Sequence, residues 1–551
     1  MRTGDGVGTK RVVLTRGDLC LSVTMNFVRK LSRNNNEMTK ETEKSDGRVV
    51  AQGRRKPPPT AAVGRGAKAT TGTETAEQLR LPFETAASPQ GGGRVRKRGR
   101  PRRETRPLPK SKSATRPLPL TVSMEEIANE GNLRRAFDRV ASNKGAPGPD
   151  RRTIEDVRAS LDAIIRELHA DLVTGRYRPG AIRRVWIPKS DGGKRGLGIP
   201  NVIDRIVQQA VHQVLSPWYE ASFHPSSHGF RPGRSCHTAI AEAREYLRDG
   251  HEWIVDIDLE KFFDKVPHDR LMSRLEERIR DARLLRVIRR MLKAKVVLPD
   301  GVVVSTDEGA PQGGPLSPLL SNIVLDELDQ ELARRGHRFV RYADDCNVYA
   351  RSQRAAERVM RATVRFIEGR LGLKVNATKS AVARSRERHF LGFRLTLQAD
   401  EVFVDLSDRS RARLKAKVRA LTPRTWGQSL ADCIAAINAY ARGWVEFFGL
   451  CDRAKGVLRQ ADAHLRRRLR AIILHQWKTD RVAVRRLIKL GVPPDLAHTV
   501  YLGQVSLWRK SQHEAVRRGL QNAFFANRGL LNMEALWLER HPAITAAAYA
   551  A

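Results

Sequence analysis

Cysteine is scarce in this sequence: Cys20, Cys236, Cys346, Cys433 and Cys451 are its only five, and no two stand as Cys-x-x-Cys. That scatter excludes a thiolate zinc module and fits free thiols in a reducing cytoplasm. Long apolar runs are missing too. No window approaches the about 18 uninterrupted apolar residues of a spanning helix, so no membrane span is predicted. The start, Met1-Arg2-Thr3-Gly4-Asp5-Gly6, lacks the apolar core of a secretory signal. Acidic residues are in deficit, 60 Asp+Glu against 101 Lys+Arg, which leaves a net charge of +41. A field of that sign draws polyanions. With 40% hydrophobic residues to build real cores, it points to nucleic acid ahead of an anionic membrane surface. At 551 residues the chain has room for about three to four domains.

What is present is unevenly spread. Residues 1–122 read as a disordered basic extension, with Pro57-Pro58-Pro59, Gly91-Gly92-Gly93 and little apolar surface to bury. From Arg94 to Arg116 there are eleven basic residues and one acid, Glu104, a run that binds phosphate without reading sequence. Order is predicted from Ser123, a candidate N-cap for a helix over 124–140; a second helix is expected over 154–172. Val185-Trp186-Ile187-Pro188 and Gly196-Leu197-Gly198-Ile199 read as short strands around the turn at 190–193. Lys189 and Arg195 flank that turn, either as two surface charges or as a clamp for a triphosphate.

Two acidic stretches follow. In Trp253-Ile254-Val255-Asp256-Ile257-Asp258, strand alternation puts Asp256 and Asp258 on one face and Val255 and Ile257 on the other. In Phe339-Val340-Arg341-Tyr342-Ala343-Asp344-Asp345-Cys346-Asn347-Val348-Tyr349, two carboxylates sit at a turn between apolar strands. An isolated Asp-Asp also fits an ordinary acidic turn. Acids placed where their neighbours seek burial are costly unless a cation neutralises them, and all-oxygen ligation suits magnesium. A carboxylate from the first strand joined to the Asp344-Asp345 tip would hold two magnesium ions, the arrangement nucleotidyl transfer needs. Asp256 also reads as a structural acid paired with a nearby arginine. Between the two stretches, Glu308-Gly309-Ala310-Pro311-Gln312-Gly313-Gly314-Pro315 is a loop open to close backbone approach. A helix is expected after it, with Ser317 as N-cap, Pro318 first, and Leu320, Val324 and Leu328 on its buried side.

Tyr342-Ala343-Asp344-Asp345, Asp256 to Asp264 and Gln312-Gly313-Gly314-Pro315-Leu316-Ser317-Pro318 together resemble a reverse transcriptase, most of all the bacterial group II intron-encoded reverse transcriptase/maturases. Ile187-Pro188-Lys189, Arg195 to Pro200, Gly229 to Ser235 and Phe390-Leu391-Gly392-Phe393 match further blocks of that family in order, so the likeness covers roughly 124–540. It implies an α+β right-hand polymerase: fingers and a palm with an antiparallel sheet over 123–404, an α-helical thumb or X domain over 405–480, and a basic helical region over 481–551. It implies Asp258, rather than Asp256, with Asp344 and Asp345 as catalytic metal ligands for Mg2+. Lys189 and Arg195 would grip the triphosphate, Gln312 would contact the nucleotide, and Phe263 would leave no room for a 2′-hydroxyl. The implied partners are group II intron RNA, an RNA template with DNA primer, dNTPs and target DNA, with no membrane. The implied setting is the cytoplasm, on the nucleoid when bound to DNA.

Long basic helices are expected beyond Ser407, and Leu465-Arg466-Arg467-Arg468-Leu469-Arg470 offers a cationic face for RNA. Trp508 and Trp537 are expected anchors. Departures from the family exist. Gly148-Pro149-Asp150-Arg151-Arg152-Thr153 stands where relatives usually read glycine, a small apolar residue, Asp-Gly, then Thr, which bears on loop geometry. His224 and His228, four apart, offer half a metal site that Pro225 disfavours. No endonuclease module with cysteine pairs precedes Ala551, as in class C relatives, so no second-strand nicking is expected.

Overall fold

The computed structural model of the chain describes residues 120–188, 193–423, 427, 429–501 and 505–542. Order takes in Leu120 and Val122, both buried, with the Leu120 amide donating to the Arg278 carbonyl at 2.7 Å. The rest of the 1–122 extension lies outside the described residues.

The longer helices are α1 (Glu130–Ser142), α2 (Leu161–Val173), α3 (Val202–Glu220), α4 (Cys236–Arg248), α5 (His268–Glu276) and α6 (Ala282–Leu292). Further on come α7 (Ser317–Arg334), α8 (Gln353–Phe366), α9 (Asp408–Ala420), α10 (Leu430–Phe448), α11 (Lys455–Gln476) and α12 (Asp480–Lys489). Strands β1 (Ile182–Pro188) and β2 (Lys194–Ile199) pair antiparallel, and β4 (Val296–Val297) and β5 (Val303–Val304) extend them in the order β2-β1-β4-β5. The second sheet joins β3 (Trp253–Ile257), β6 (Arg338–Tyr342), β7 (Asp345–Ala350) and β8 (Ala381–Arg384) in the order β6-β7-β3-β8, all antiparallel. A hairpin of β9 (Phe393–Gln398) and β10 (Glu401–Leu406) leads into the helical C-terminal part.

Ser123 caps as predicted: its hydroxyl accepts from the Glu126 amide at 3.3 Å while Glu126 accepts from the Ser123 amide at 3.4 Å. The single helix expected over 124–140 is two, because Asn129 leaves helical dihedrals (φ −50°, ψ 127°) and caps α1 through the Asn132 amide. The helix expected over 154–172 divides likewise at Ser160. Ser317 is not the N-cap of α7. It is the first helical residue, after Leu316, and its hydroxyl donates back to the Pro311 carbonyl at 2.7 Å, tying the loop to the helix it enters.

Arg151 adopts φ +59°, the left-handed conformation that glycine takes without strain. This is the position where the family resemblance leads one to expect glycine. Arg151→Gly is expected to stabilise the chain by roughly 0.5–1 kcal/mol, since strain relief exceeds the added unfolded-state entropy. Thermal melting checks it; a lowered midpoint would refute it.

The β3-containing sheet separates two cores, and its period-2 alternation decides what faces each. Val255, Ile257, Phe339, Cys346 and Val348 enter one core with α1, α3 and α7. Ile254, Val340 and Tyr349 enter the other with α4, β9, β10 and the C-terminal helices. That second core also holds Val484, Leu487, Phe525 and Trp537, so the described residues of 481–501 and 505–538 pack with α9–α11. Trp537 is an anchor as predicted, buried and donating from Nε1 to the Cys451 carbonyl at 3.0 Å. Trp508 is only half-buried.

Candidate active site

Asp256 and, one step past β3, Asp258 project on the Ile254 face of the sheet. In the register, Tyr342 pairs with Asp345, which leaves Ala343-Asp344 as a two-residue turn and puts Asp345 on the Tyr349 face. Asp258 and Asp345 therefore lie at one end and on one face of the sheet, with β3 and β7 as neighbours, and Asp344 stands in the turn next to Asp345.

The two acids of the first strand have different fates. Asp256 accepts from Nε of Arg388 at 2.9 Å and from its Nη2, both on the one oxygen Oδ2, a charge-assisted pair. Asp258 has its amide held by the Ser380 hydroxyl at 3.0 Å and Lys379 Nζ 3.7 Å from its carboxylate. Asp344 and Asp345 have no hydrogen-bonded or ion-paired side-chain partner among the described residues. Burial raises Asp344 above the usual carboxylate range, with Asp258 adding to the shift and Arg195 opposing it. Asp345, the first residue of β7, is exposed although the chain crowds around its carboxyl. Desolvation, then Asp344, Asp256 and Asp258, push its carboxyl up to about 7.

Like charges crowded at one end of a sheet call for a cation. Among the described residues no three His, Cys, Asp or Glu side chains are drawn closely enough to cage an ion. The donor set nevertheless fits a hard divalent ion: three carboxylates at one end of the sheet, with Lys379 beside Asp258 and the other two without a side-chain partner, countered at longer range by Arg195 and, for Asp344, Arg341.

The turn itself is strained and braced. Ala343 sits at φ +56°, where a side chain costs roughly 1–3 kcal/mol. Gly229 lies against it so closely that a Cβ there would stand 2.2 Å from the Ala343 nitrogen. Beneath, on the face away from the acids, Arg341 is fully buried. Its Nε and Nη2 donate to Asp329 at 2.7 and 2.6 Å, Nη2 also to Ser227 Oγ at 2.7 Å, and Nη1 to Asn322 Oδ1 at 3.0 Å and the Ala343 carbonyl at 2.9 Å. All five guanidinium donors are used. Asn322 also donates to the Gly229 carbonyl at 2.8 Å, closing the brace. Sequence reading missed this network; its one signal was a charged residue inside the apolar run 339–342.

The loop between the acid stretches is clamped on both sides. The Gly198 amide donates to the Gln312 carbonyl at 2.7 Å, joining the loop to β2, and the Ala310 amide donates to the Phe263 carbonyl at 2.7 Å. A Cβ on Gly313 would lie 2.3 Å from the Gly198 carbonyl oxygen, so only glycine permits the approach. Arg195 on β2, Gln312 and Phe263 are thereby bound to one framework, with Arg195 exposed and Phe263 half-buried against Phe262. Lys189 lies outside the described residues.

With this geometry in place, two family models match the chain. "Reverse transcriptase (RNA-dependent DNA polymerase)" covers residues 187–395 and "Group II intron, maturase-specific domain" covers 411–490, together more than half of the chain. Protein YkfC of Escherichia coli (strain K12) is 36% identical over 295 residues, 46% of this chain and 77% of that protein. The chain belongs to the reverse transcriptases that carry a group II intron maturase domain. It is 38% identical to the group II intron-encoded protein LtrA of Lactococcus lactis subsp. cremoris over 197 residues, 35% of this chain and 32% of LtrA. It is 29% identical to a putative COX1/OXI3 intron 2 protein of Saccharomyces cerevisiae over 318 residues, 47% of this chain and 37% of that protein. Its activity class is RNA-directed DNA polymerase, and the family works with divalent metal ions and RNA templates.

In this reverse transcriptase the four arginines of the expected RNA face are not brought together. Consecutive residues diverge by about 100° around a helix, so 466, 467 and 468 cannot share a face. Arg467 stacks on Trp508, its Cζ 3.7 Å from the ring centroid, and donates to that residue's carbonyl at 3.2 Å. Arg468 donates to the hydroxyl of Thr422 and, at 2.6 Å, to its carbonyl. Arg470 is buried, donates to the Leu520 carbonyl at 2.8 Å, and is drawn down to about 10 by desolvation with Arg466 and Arg517 nearby. These three pin the chain's own segments, leaving Arg466 half-buried beside Asp462. His228 is likewise spent, on Glu242 at 2.7 Å and Thr238 at 2.8 Å. Cys236, Cys346, Cys433 and Cys451 are free and buried, and Cys20 lies outside the described residues. No helix among the described residues is long and apolar enough to cross a membrane.

Proposed function

We propose that this reverse transcriptase binds its own group II intron RNA, assists its splicing, and copies it into DNA during intron mobility by two-magnesium nucleotidyl transfer. The observation that carries the reading is the Asp344-Asp345 pair, without side-chain partners at the sheet end that also holds Asp258, and within electrostatic reach of Arg195, whose strand β2 is tied to the Gln312 loop and through it to Phe263. Asp258, Asp344 and Asp345 would hold magnesium, whose charge lowers the pKa of the primer 3′-hydroxyl and steadies the leaving pyrophosphate. Lys189 and Arg195 grip the triphosphate of the incoming dNTP. Gln312 contacts the nucleotide, and the Phe263 ring shuts out a 2′-hydroxyl. Splicing assistance is a binding activity that favours the folded intron by mass action. The basic charge of the whole chain supplies much of that affinity, on the RNA template with DNA primer and on target DNA alike. Free buried thiols suit a cytoplasmic enzyme that joins the nucleoid when on DNA.

The test is to purify the Asp344→Ala protein from its native cells at moderate salt and sequence the RNA that accompanies it. One dominant structured RNA carrying this coding sequence is the expected result. A different small RNA, or a smear of cellular RNA, would remove the maturase half of the proposal and leave the polymerase half standing.

A further inference from the structure

Helix α8 packs on β3, β7 and β8 through Ala356, Val359 and Thr363, on the sheet face opposite Asp258 and Asp345. Its outer face carries Arg354, Arg358, Arg361 and Arg365, spaced four, three and four residues apart. That spacing is one stripe about 16 Å long at 1.5 Å per residue. All four are exposed, and none has a hydrogen bond or ion pair among the described residues. Their neighbours differ: Arg334 and Arg335 are held by Glu331, Arg370 and Arg274 by Glu327. The acids beside the stripe are Glu357, which accepts from Gln353 at 2.9 Å, and Glu368, both toward one edge. At the other edge, where α8 runs into the π-helical turn Ile367–Leu371, Arg335, Ala362, Arg365, Phe366, Gly369 and Arg370 line an open cavity of about 400 Å³. Half-buried Phe366 and the unpaired Arg365 thus share this cavity with Arg335 and Arg370, which Glu331 and Glu327 hold.

We infer that the outer face of α8 is a docking surface for the phosphate backbone of RNA, with one nucleotide seated in the Phe366 cavity. Unpaired arginines in a row match a row of phosphates, and an aromatic floor among cations accepts a base by stacking. The sheet stands between this face and the carboxylates, so the strand bound here is not the template–primer. It is a folded RNA reaching around the back of the palm, an occupant that rests on the RNA-binding reading above.

The triple variant Arg358→Gln/Arg361→Gln/Arg365→Gln is compared with wild type for binding bulk ribosomal RNA, with the cleft filled by excess short template–primer. Affinity at moderate salt is expected to fall at least tenfold. The slope of log affinity against log salt should become shallower by about 2 to 3, from three lost phosphate contacts. Primer extension on the short template–primer should stay within about twofold. Unchanged affinity and slope would overturn the α8 site. Failure of the wild type to bind ribosomal RNA at all would instead sink the RNA-binding reading. Should the variant fold poorly, phenylglyoxal modification of the wild type, mapped residue by residue, decides the matter. Ribosomal RNA must protect Arg358, Arg361 and Arg365, and modification undiminished by RNA overturns the proposal.

Discussion

Asp344→Ala is expected to remove primer extension on an RNA template, by about 10³-fold or more, while RNA binding stays intact. A metal ligand contributes several kcal/mol of transition-state charge stabilisation, and each 1.36 kcal/mol is tenfold in rate. Asp344 has no other employment: no side-chain partner among the described residues depends on it, so its removal leaves the fold unburdened and relieves Asp345 of a like charge. Binding should survive because the net charge of +41 changes by a single unit and the helices beyond β10 are untouched. Primer extension at near wild-type rate would show that the metal ligands lie elsewhere. Joint loss of extension and RNA binding would show a folding defect, contrary to the expectation.

The larger structural effect belongs to Arg341. It and Asp329 are wholly buried, so Arg341→Met leaves a carboxylate without a partner and is expected to destabilise the chain by about 3–5 kcal/mol. The same change frees the Ala343 carbonyl, which Nη1 holds next to Asp344. The two consequences separate in the double variant Arg341→Met/Asp329→Leu. Replacing a buried ion pair with packed apolar residues is often neutral in stability, so the unfolding midpoint should recover. Activity should not. With the strained turn at Ala343 unbraced, a shift of about 1 Å in Asp344 and Asp345 is enough to hold turnover about 100-fold low. Recovery of the midpoint and of turnover together would mean that Arg341 only fills space and does not position the catalytic turn.

How much of this could be read without coordinates follows from the range of each force. Alternation along 253–258 and 339–349 is local, set by the pleat, so the face shared by Asp256 and Asp258 and the hairpin tip at Asp344-Asp345 were legible in the residues themselves. The basic helical composition beyond Ser407 likewise showed in the residues, where the structure has helices at 408–420, 430–448 and 455–476. Helix ends were less legible. Asn129 interrupts a helix because its short polar side chain takes the Asn132 amide, Ser160 interrupts one without a side-chain cap, and Ser317 gave its hydroxyl to a carbonyl six residues back instead of capping.

That Asp256 would pair with an arginine was readable in the sequence, but which arginine was not, since partner choice joins residues far apart in the chain. Arg388 takes Asp256, 132 residues away, and so separates it from Asp258 one step along the same strand. Ser227 and Arg341 meet across 114 residues beneath the turn. Arg466 to Arg470 looked like one cationic face in the sequence, yet three of the four are occupied by Trp508, Thr422 and Leu520. The stripe on α8, no richer in charge, stays free because no acid folds against it. The sequence by itself determined the family, the net charge and the identity of the acidic residues, because those are carried by residue type and near-neighbour spacing. Only the tertiary structure decided which charges are spent and which are available, because pairing over a few ångströms depends on what the fold brings alongside.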